Sequence, residues 1–166
     1  MKQLDTVGLE YAEQPVRTLE EMAELRRLVD VRLAADESVR TAADPLRVAG
    51  LEAADIVVLK VQPLGGVRRC LEVAEACGLP VVVSSAVETS IGLAAGVALA
   101  AALPELPFAC GLGTAQLLAA DVTREPLLPV DGVLPVRAVA PDLELVTADD
   151  DTRQWWLDRL SRAAAT

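Results

Sequence analysis

IVVLKVQPLGG, residues 56–66, decides how this chain folds. Its first four residues are an unbroken apolar run, three of them β-branched, and such a run marks a strand covered on both faces, as in a parallel sheet between helices. Lys60 follows at once. A charge there needs a partner or a mouth at the strand end, because a buried, unpaired ammonium is prohibitively costly. Gly65-Gly66 then opens a helix in which Val67, Cys70, Leu71 and Ala74 share one face, and Gly78-Leu79-Pro80 ends it. The next strand, Val81-Val82-Val83, is equally apolar and runs into Ser84.

The same unit recurs on either side. Glu13 follows LEYA, Asp36 follows RLAA, Lys60 follows IVVL and Ser84 follows VVV, at intervals of 23 or 24 residues. One strand, one helix and two loops have about that length. In a parallel barrel the C-terminal strand ends converge on one mouth, so residues far apart in sequence share a site there. Two acids, a lysine and a serine around a mouth suit an enzyme that holds a metal and moves a proton.

Helices are expected between the strands. TLEE, residues 18–21, is a capping-box pattern ahead of a helix in which Leu19, Met22, Ala23 and Leu25 or Arg26 fall at helical spacing. Asp44-Pro45 reads as an N-cap followed by proline at the first position of a helix reaching about Ala53. Ser90 reads as the cap of the most apolar segment, residues 91–103, which at about 13 residues is too short to span a bilayer. A fifth strand at 108–111 leads into a short helix at 114–120. Beyond Val122, Pro126, Pro129, Pro135 and Pro141 punctuate an extended tail. A final amphipathic helix has Asp151 or Thr152 as cap, with Trp156, Leu157 and Leu160 facing inward. Residues 1–122 are thus read as βα units of an incomplete (β/α) barrel, and residues 123–166 as an extended segment whose terminal helix packs back on it.

Composition narrows the function. With 166 residues, 52% of them hydrophobic, the chain can bury a sizeable core as one domain. A net charge of −10 argues against nucleic acid or an anionic membrane surface as partner. There is no histidine, which excludes a His-based triad and His metal ligands and leaves carboxylates, suited to Mg²⁺. Cys70, Cys77 and Cys110 form no CxxC and read as reduced thiols of a cytoplasmic protein. The first residues carry no signal-peptide core. Five βα units are either part of an eight-unit barrel or an open, doubly wound sheet. The latter usually binds through a glycine-rich phosphate loop, yet neither GxGxxG after the first strand nor GxxxxGK[ST] occurs. Gly65-Gly66 and Gly111-Leu112-Gly113 could each cradle an anion at a helix N-terminus.

Five motifs in order, YAEQP (11–15), AADES (34–38), LKVQPLGG (59–66), VVVSSAVETSIGLAAG (81–96) and ACGLGTAQLLAADV (109–122), resemble consecutive strand-end motifs of the enolase superfamily, and within it the o-succinylbenzoate synthase family of the menaquinone pathway. The resemblance implies an α/β fold, a partial TIM-type barrel holding strands four to eight. It implies that Glu13 and Asp36 are ligands of Mg²⁺, with Mn²⁺ as a substitute, and that Lys60 is a catalytic lysine facing a small-molecule carboxylate substrate. It also places Ser84, Ser85, Glu88, Gly111, Leu112 and Gly113 in the loops that hold the substrate. The reaction implied is proton abstraction beside a carboxylate and dehydration through an enediolate. An enediolate's second negative charge needs a cation on it, and superfamily sites combine such a cation with a lysine or histidine base. Whether Lys60 delivers a proton or acts through its charge stays open.

Plainer readings stand beside these. Glu13 could be a polar loop residue, Asp36 a solvated turn, Ser84-Ser85 backbone satisfiers, and Glu88 a helix-terminus charge. The family's capping domain, first three strands, first ligand Asp and KxK lysines have no counterpart here, so the chain reads as the C-terminal segment of a longer enzyme, completed by its N-terminal half or by self-association. Another superfamily activity (muconate cycloisomerase, dipeptide epimerase or N-acylamino-acid racemase) and a non-catalytic α/β binding module are the alternatives. Because five strands cannot close an eight-strand barrel, the isolated chain is expected to sediment as an oligomer or to be partly molten. A compact monomer with a cooperative thermal transition would contradict this.

Overall fold

A computed structural model describes residues 7–165. Four parallel strands lie side by side in chain order: β1 (Ala12–Glu13), β2 (Leu33–Ala35), β3 (Ile56–Lys60) and β4 (Val81–Ser84). Helices α1 (Leu19–Arg26) and α2 (Asp44–Gly50) link the first three strands; α3 (Val61–Leu64) and α4 (Val67–Cys77) link β3 to β4, and α5 (Ser90–Ala102) follows. The result is a parallel α/β sheet forming part of a barrel, with helices on one face.

Local chemistry explains most boundaries. Thr18 and Glu21 close the capping box in both directions at the start of α1. Lys60 passes directly into the single turn α3, which stops at Gly65. Gly65 and Gly66 have φ of 91° and 116°, a left-handed excursion that side chains resist, and it separates α3 from α4.

The pleat of the strands sorts the interior into two clusters. Outward-facing Val57, Leu59, Val81 and Val83 pack with Met22, Val48, Cys70, Leu93 and Leu99 from the helices. Inward-facing Ala34, Ile56, Val58 and Val82 form a second cluster with Phe108 and Tyr11. The Tyr11 and Phe108 rings, from opposite margins of the sheet, meet edge to face at 5.5 Å, with the Arg32 guanidinium 5.2 Å above the Phe108 ring. An incomplete barrel implies a bare apolar inner face, but these four residues are no more than 2% exposed. Two aromatic rings suffice to cover so narrow a strip.

Several expectations are corrected. The fifth strand reduces to one parallel bridge between Ser84 and Gly111, since Pro107 lacks an N–H and Phe108 turns inward to Tyr11. The expected helix at 114–120 is a 3₁₀ turn over Thr114–Leu117. Asp44 lies inside α2, and its carboxylate accepts hydrogen bonds from the Arg40 and Thr41 N–H groups, closing the preceding turn. Ser90 is the first residue of α5 and wholly buried; Asp121 accepts from both its N–H and its hydroxyl. In the tail, Asp131-Gly132 makes a tight turn with positive φ at both residues, joined by a Val130–Val133 bridge. The terminal helix α6 (Asp150–Ala164) is capped by Asp149, whose carboxylate accepts from the Thr152 N–H. It buries no residue: Trp156, Leu157 and Leu160 are 53, 48 and 62% exposed, and the expected packing back onto the barrel is not made. Trp155 and Trp156 instead meet edge to face, with Arg159 over both.

At the N-terminal ends of the strands, Asp55 accepts from Arg26 Nε at 2.8 Å and from the Leu33 N–H at 3.0 Å, binding α1 and β2 to the start of β3. Burial alone would raise this carboxyl; the bonds from Arg26 and Leu33 outweigh it and hold it below the usual carboxylate range. A depressed acid adds stability above its unfolded pKa and loses it as pH falls through the folded value. Asp55→Ala should therefore destabilise the protein by about 2 kcal/mol near neutrality, with the deficit shrinking below about pH 4, as urea unfolding would show.

Candidate active site

Strand alternation places the candidate residues. On the inward face, Glu13 follows Tyr11, Asp36 follows Ala34, Lys60 follows Ile56 and Val58, and Ser84 follows Val82, each polar residue two positions beyond an apolar one. The inner column is thus apolar below and polar at the C-terminal strand ends. The register staggers this polar layer: Glu13 lies opposite Ala34, two residues before Asp36, while Lys60 lies opposite Ser84.

Lys60 and Asp36 form an ion pair through Nζ and Oδ1, with side chains only 18 and 9% exposed. Glu13 lies beside this pair. Partial desolvation first, then the neighbouring Asp36 carboxylate, push the Glu13 carboxyl upward, and the nearby Lys60 offsets this only in part. Negative charge is therefore in excess at this mouth. Among the described residues no group of three or more acidic or thiol side chains is placed to hold a metal. The candidate donors are the two carboxylates.

The other expected residues divide. Ser84 borders Lys60, and a Cβ at Gly111 would come within 2.6 Å of the Ser84 hydroxyl, so Gly111 is needed for the close approach of loop and strand. Ser85 is turned inward: its hydroxyl donates to the Gly111 carbonyl at 2.9 Å and lies 2.9 Å from the Thr114 hydroxyl. Leu112 is buried beside Gly96 of α5, and Gly113 precedes the 3₁₀ turn. Glu88 accepts from Gln62 Nε2 at 2.7 Å and from the Ala86 N–H, and burial nevertheless raises its carboxyl. The structure thus brings Glu13, Asp36, Lys60 and Ser84 together, while Ser85 and Leu112 hold the loop. Gln14, Gln62 and Thr114 escaped the sequence reading. The two glutamines each precede a proline in EQP and VQP, a signal that was available; Thr114 gave none. An apolar hollow of about 480 Å³ between α5 and the tail, lined by Val97, Phe108, Leu112 and Leu134, carries no carboxylate or amine.

A family model described as enolase C-terminal domain-like matches residues 1–142. The chain belongs to this family. Among its relatives, the o-succinylbenzoate synthase of Thermobifida fusca (strain YX) is 64% identical over 162 residues, covering 98% of this chain and 51% of the relative. That of Mycobacterium leprae (strain TN) is 55% identical, covering 92% of this chain and 46% of the relative. The chain spans about half the length of the curated relatives it matches. Among solved structures, the muconate lactonizing enzyme of Pseudomonas fluorescens complexed with muconolactone superposes with a TM-score of 0.79 at 27% identity, over 87% of this chain and 42% of that one. A probable mandelate racemase from Alicyclobacillus acidocaldarius gives 0.70 at 33% identity, over 82 and 38%. The fold is that of an enolase-superfamily barrel segment, as the strand-end motifs implied.

If Ser85 is a loop anchor, Ser85→Ala should lower stability by about 1 kcal/mol, the net worth of an ordinary hydrogen bond, in a thermal melt. An unchanged melting temperature would show that the hydroxyl is not needed to hold the loop.

Proposed function

We propose that this chain is the C-terminal catalytic portion of an o-succinylbenzoate synthase-type lyase, acting in menaquinone biosynthesis. The observation that carries this reading is the convergence of Glu13, Asp36 and Lys60 at one strand-end mouth, in a chain 64% identical to such an enzyme across 98% of its length. Identities of 26–33% to the muconate cycloisomerases and the probable mandelate racemase make those activities the weaker alternative.

The reaction would be a dehydration: a cyclohexadiene carboxylate loses the proton beside its carboxylate and its ring hydroxyl, leaving an aromatic acid and water. The donor set suits Mg²⁺, or Mn²⁺ in its place: two neighbouring carboxylates, with Glu13 raised by partial desolvation and by the charge of Asp36, call for a cation. Glu13 and Asp36 would hold it, and when bound it supplies positive charge against the anion that forms as the proton leaves. Lys60, fixed by Asp36 at the end of β3, directs its ammonium into the same mouth, where it opposes that anion or returns a proton. Ser84, Gly111 and Gly113 would border the substrate, with Glu88 across from them beside Gln62.

The further strands, a second lysine and a third carboxylate would come from the rest of the protein, or from self-association. A cytoplasmic location fits three cysteines that are all free.

In the full-length protein, Asp36→Asn should abolish most o-succinylbenzoate formation while leaving the circular dichroism spectrum intact. Lys60→Ala should lower kcat at least about a hundredfold with a smaller change in KM, and Lys60→Arg should not restore it. Turnover that survives both substitutions would rule out this site.

A further inference from the structure

We infer that Gln14 is a positioning residue: its amide fixes the Asp36 loop against the end of β1, so that the two carboxylates on either side of it can share one cation. This rests on the reading of Glu13 and Asp36 as ligands given above. Gln14 touches no reacting atom and acts through Asp36.

All of the hydrogen-bonding capacity of its side chain is used across the gap between two strands. Oε1 accepts from the Asp36 N–H at 3.0 Å and the Ser38 N–H at 3.2 Å. Nε2 donates to the Val16 carbonyl at 2.9 Å and to the Ser38 hydroxyl at 2.9 Å. A primary amide has two donor hydrogens and two acceptor lone pairs, so nothing is left over. The orientation of the amide is fixed by its partners, since a flipped group would set nitrogen against two N–H donors. Its own N–H completes the set by donating to the Ala34 carbonyl at 2.9 Å.

The backbone points the same way. Gln14 has φ of 38°, a left-handed conformation uncommon for a residue with a side chain, and it precedes Pro15, which favours extended neighbours. Such a conformation persists where surrounding bonds over-determine it, and it is concentrated at functional sites. What it achieves here is geometric. The turn sends the side chain of Gln14 sideways to β2 while Glu13, one residue earlier, keeps its place on the inward face. Asparagine is one methylene too short for the same span. A glutamate would set its second oxygen against the Val16 carbonyl.

Mn²⁺ binding to the full-length protein, followed by the electron paramagnetic resonance of the free ion, tests this without turnover. Removing an outer hydrogen-bond partner of a ligand typically costs 10- to 100-fold in affinity, so Gln14→Met, close in size but without the amide, should bind Mn²⁺ at least about tenfold more weakly while keeping a cooperative thermal transition. Gln14→Glu retains an acceptor for both N–H groups. It should also bind more weakly if positioning dominates, and more tightly if added negative charge is all that matters. Wild-type affinity in a folded Gln14→Met overturns the inference and leaves the proposed function standing. If Gln14→Met does not fold, Gln14→Glu decides: weaker binding supports the inference, whereas equal or tighter binding, or loss of folding there too, overturns it. A wild-type protein that takes up no Mn²⁺ overturns the ligand reading and this inference together.

Discussion

The pleat of four short parallel strands is the constraint on which the remaining features depend. Because successive side chains point to opposite faces, one set of residues packs under the helices and the other points into the barrel interior. On the inner set the chemistry changes along the strand: Ala34, Ile56, Val58 and Val82 form a dry floor, and Asp36, Lys60 and Ser84 stand above it. A one-residue slip in any strand would put its polar residue among the helices and bury its charge without a partner. Fold and site are therefore specified by the same alternation.

Within the polar layer the controlling fact is electrostatic imbalance. Two carboxylates and one ammonium leave negative charge unmatched; Asp36 is buried, Lys60 half-buried and Glu13 more exposed, and partial desolvation followed by the charge of Asp36 raises the Glu13 carboxyl. A buried ion pair contributes little net stability, because desolvation of both partners offsets most of the attraction. The Lys60–Asp36 pair is better understood as a means of holding two reactive groups in place. The opposite end of the sheet is anchored by Asp55, which joins α1, β2 and β3. That separation follows the division of parallel barrels into a stabilising face and a chemical face.

The incomplete barrel accommodates its missing strands unevenly. The inner floor is covered by Tyr11 and Phe108 meeting across it, so the interior is not bare. α6 is the opposite case: it presents Trp156, Leu157 and Leu160 to solvent, and among the described residues it buries none. β1 remains an edge strand.

By itself the sequence determined the unit and its repeat. Unbroken β-branched runs such as IVVL favour strands covered on both faces, and a polar residue every 23 or 24 positions marks the strand ends, so Glu13, Asp36, Lys60 and Ser84 were all legible as strand-end residues, as was the capping box of α1. Those are local signals, carried by composition and spacing within one unit. Tertiary structure decided whatever depends on partners distant in sequence. Ser90 looked like a cap and is instead buried against Asp121, thirty-one residues away. The segment around Phe108 looked like a strand, but Pro107 and the pull of Tyr11 leave a single bridge at Gly111. Gln14 looked like part of a short motif and proves to span two strands through a fully occupied amide. A hydrogen bond between groups over twenty residues apart leaves no periodic trace in the chain, because only the folded sheet sets the distance between them.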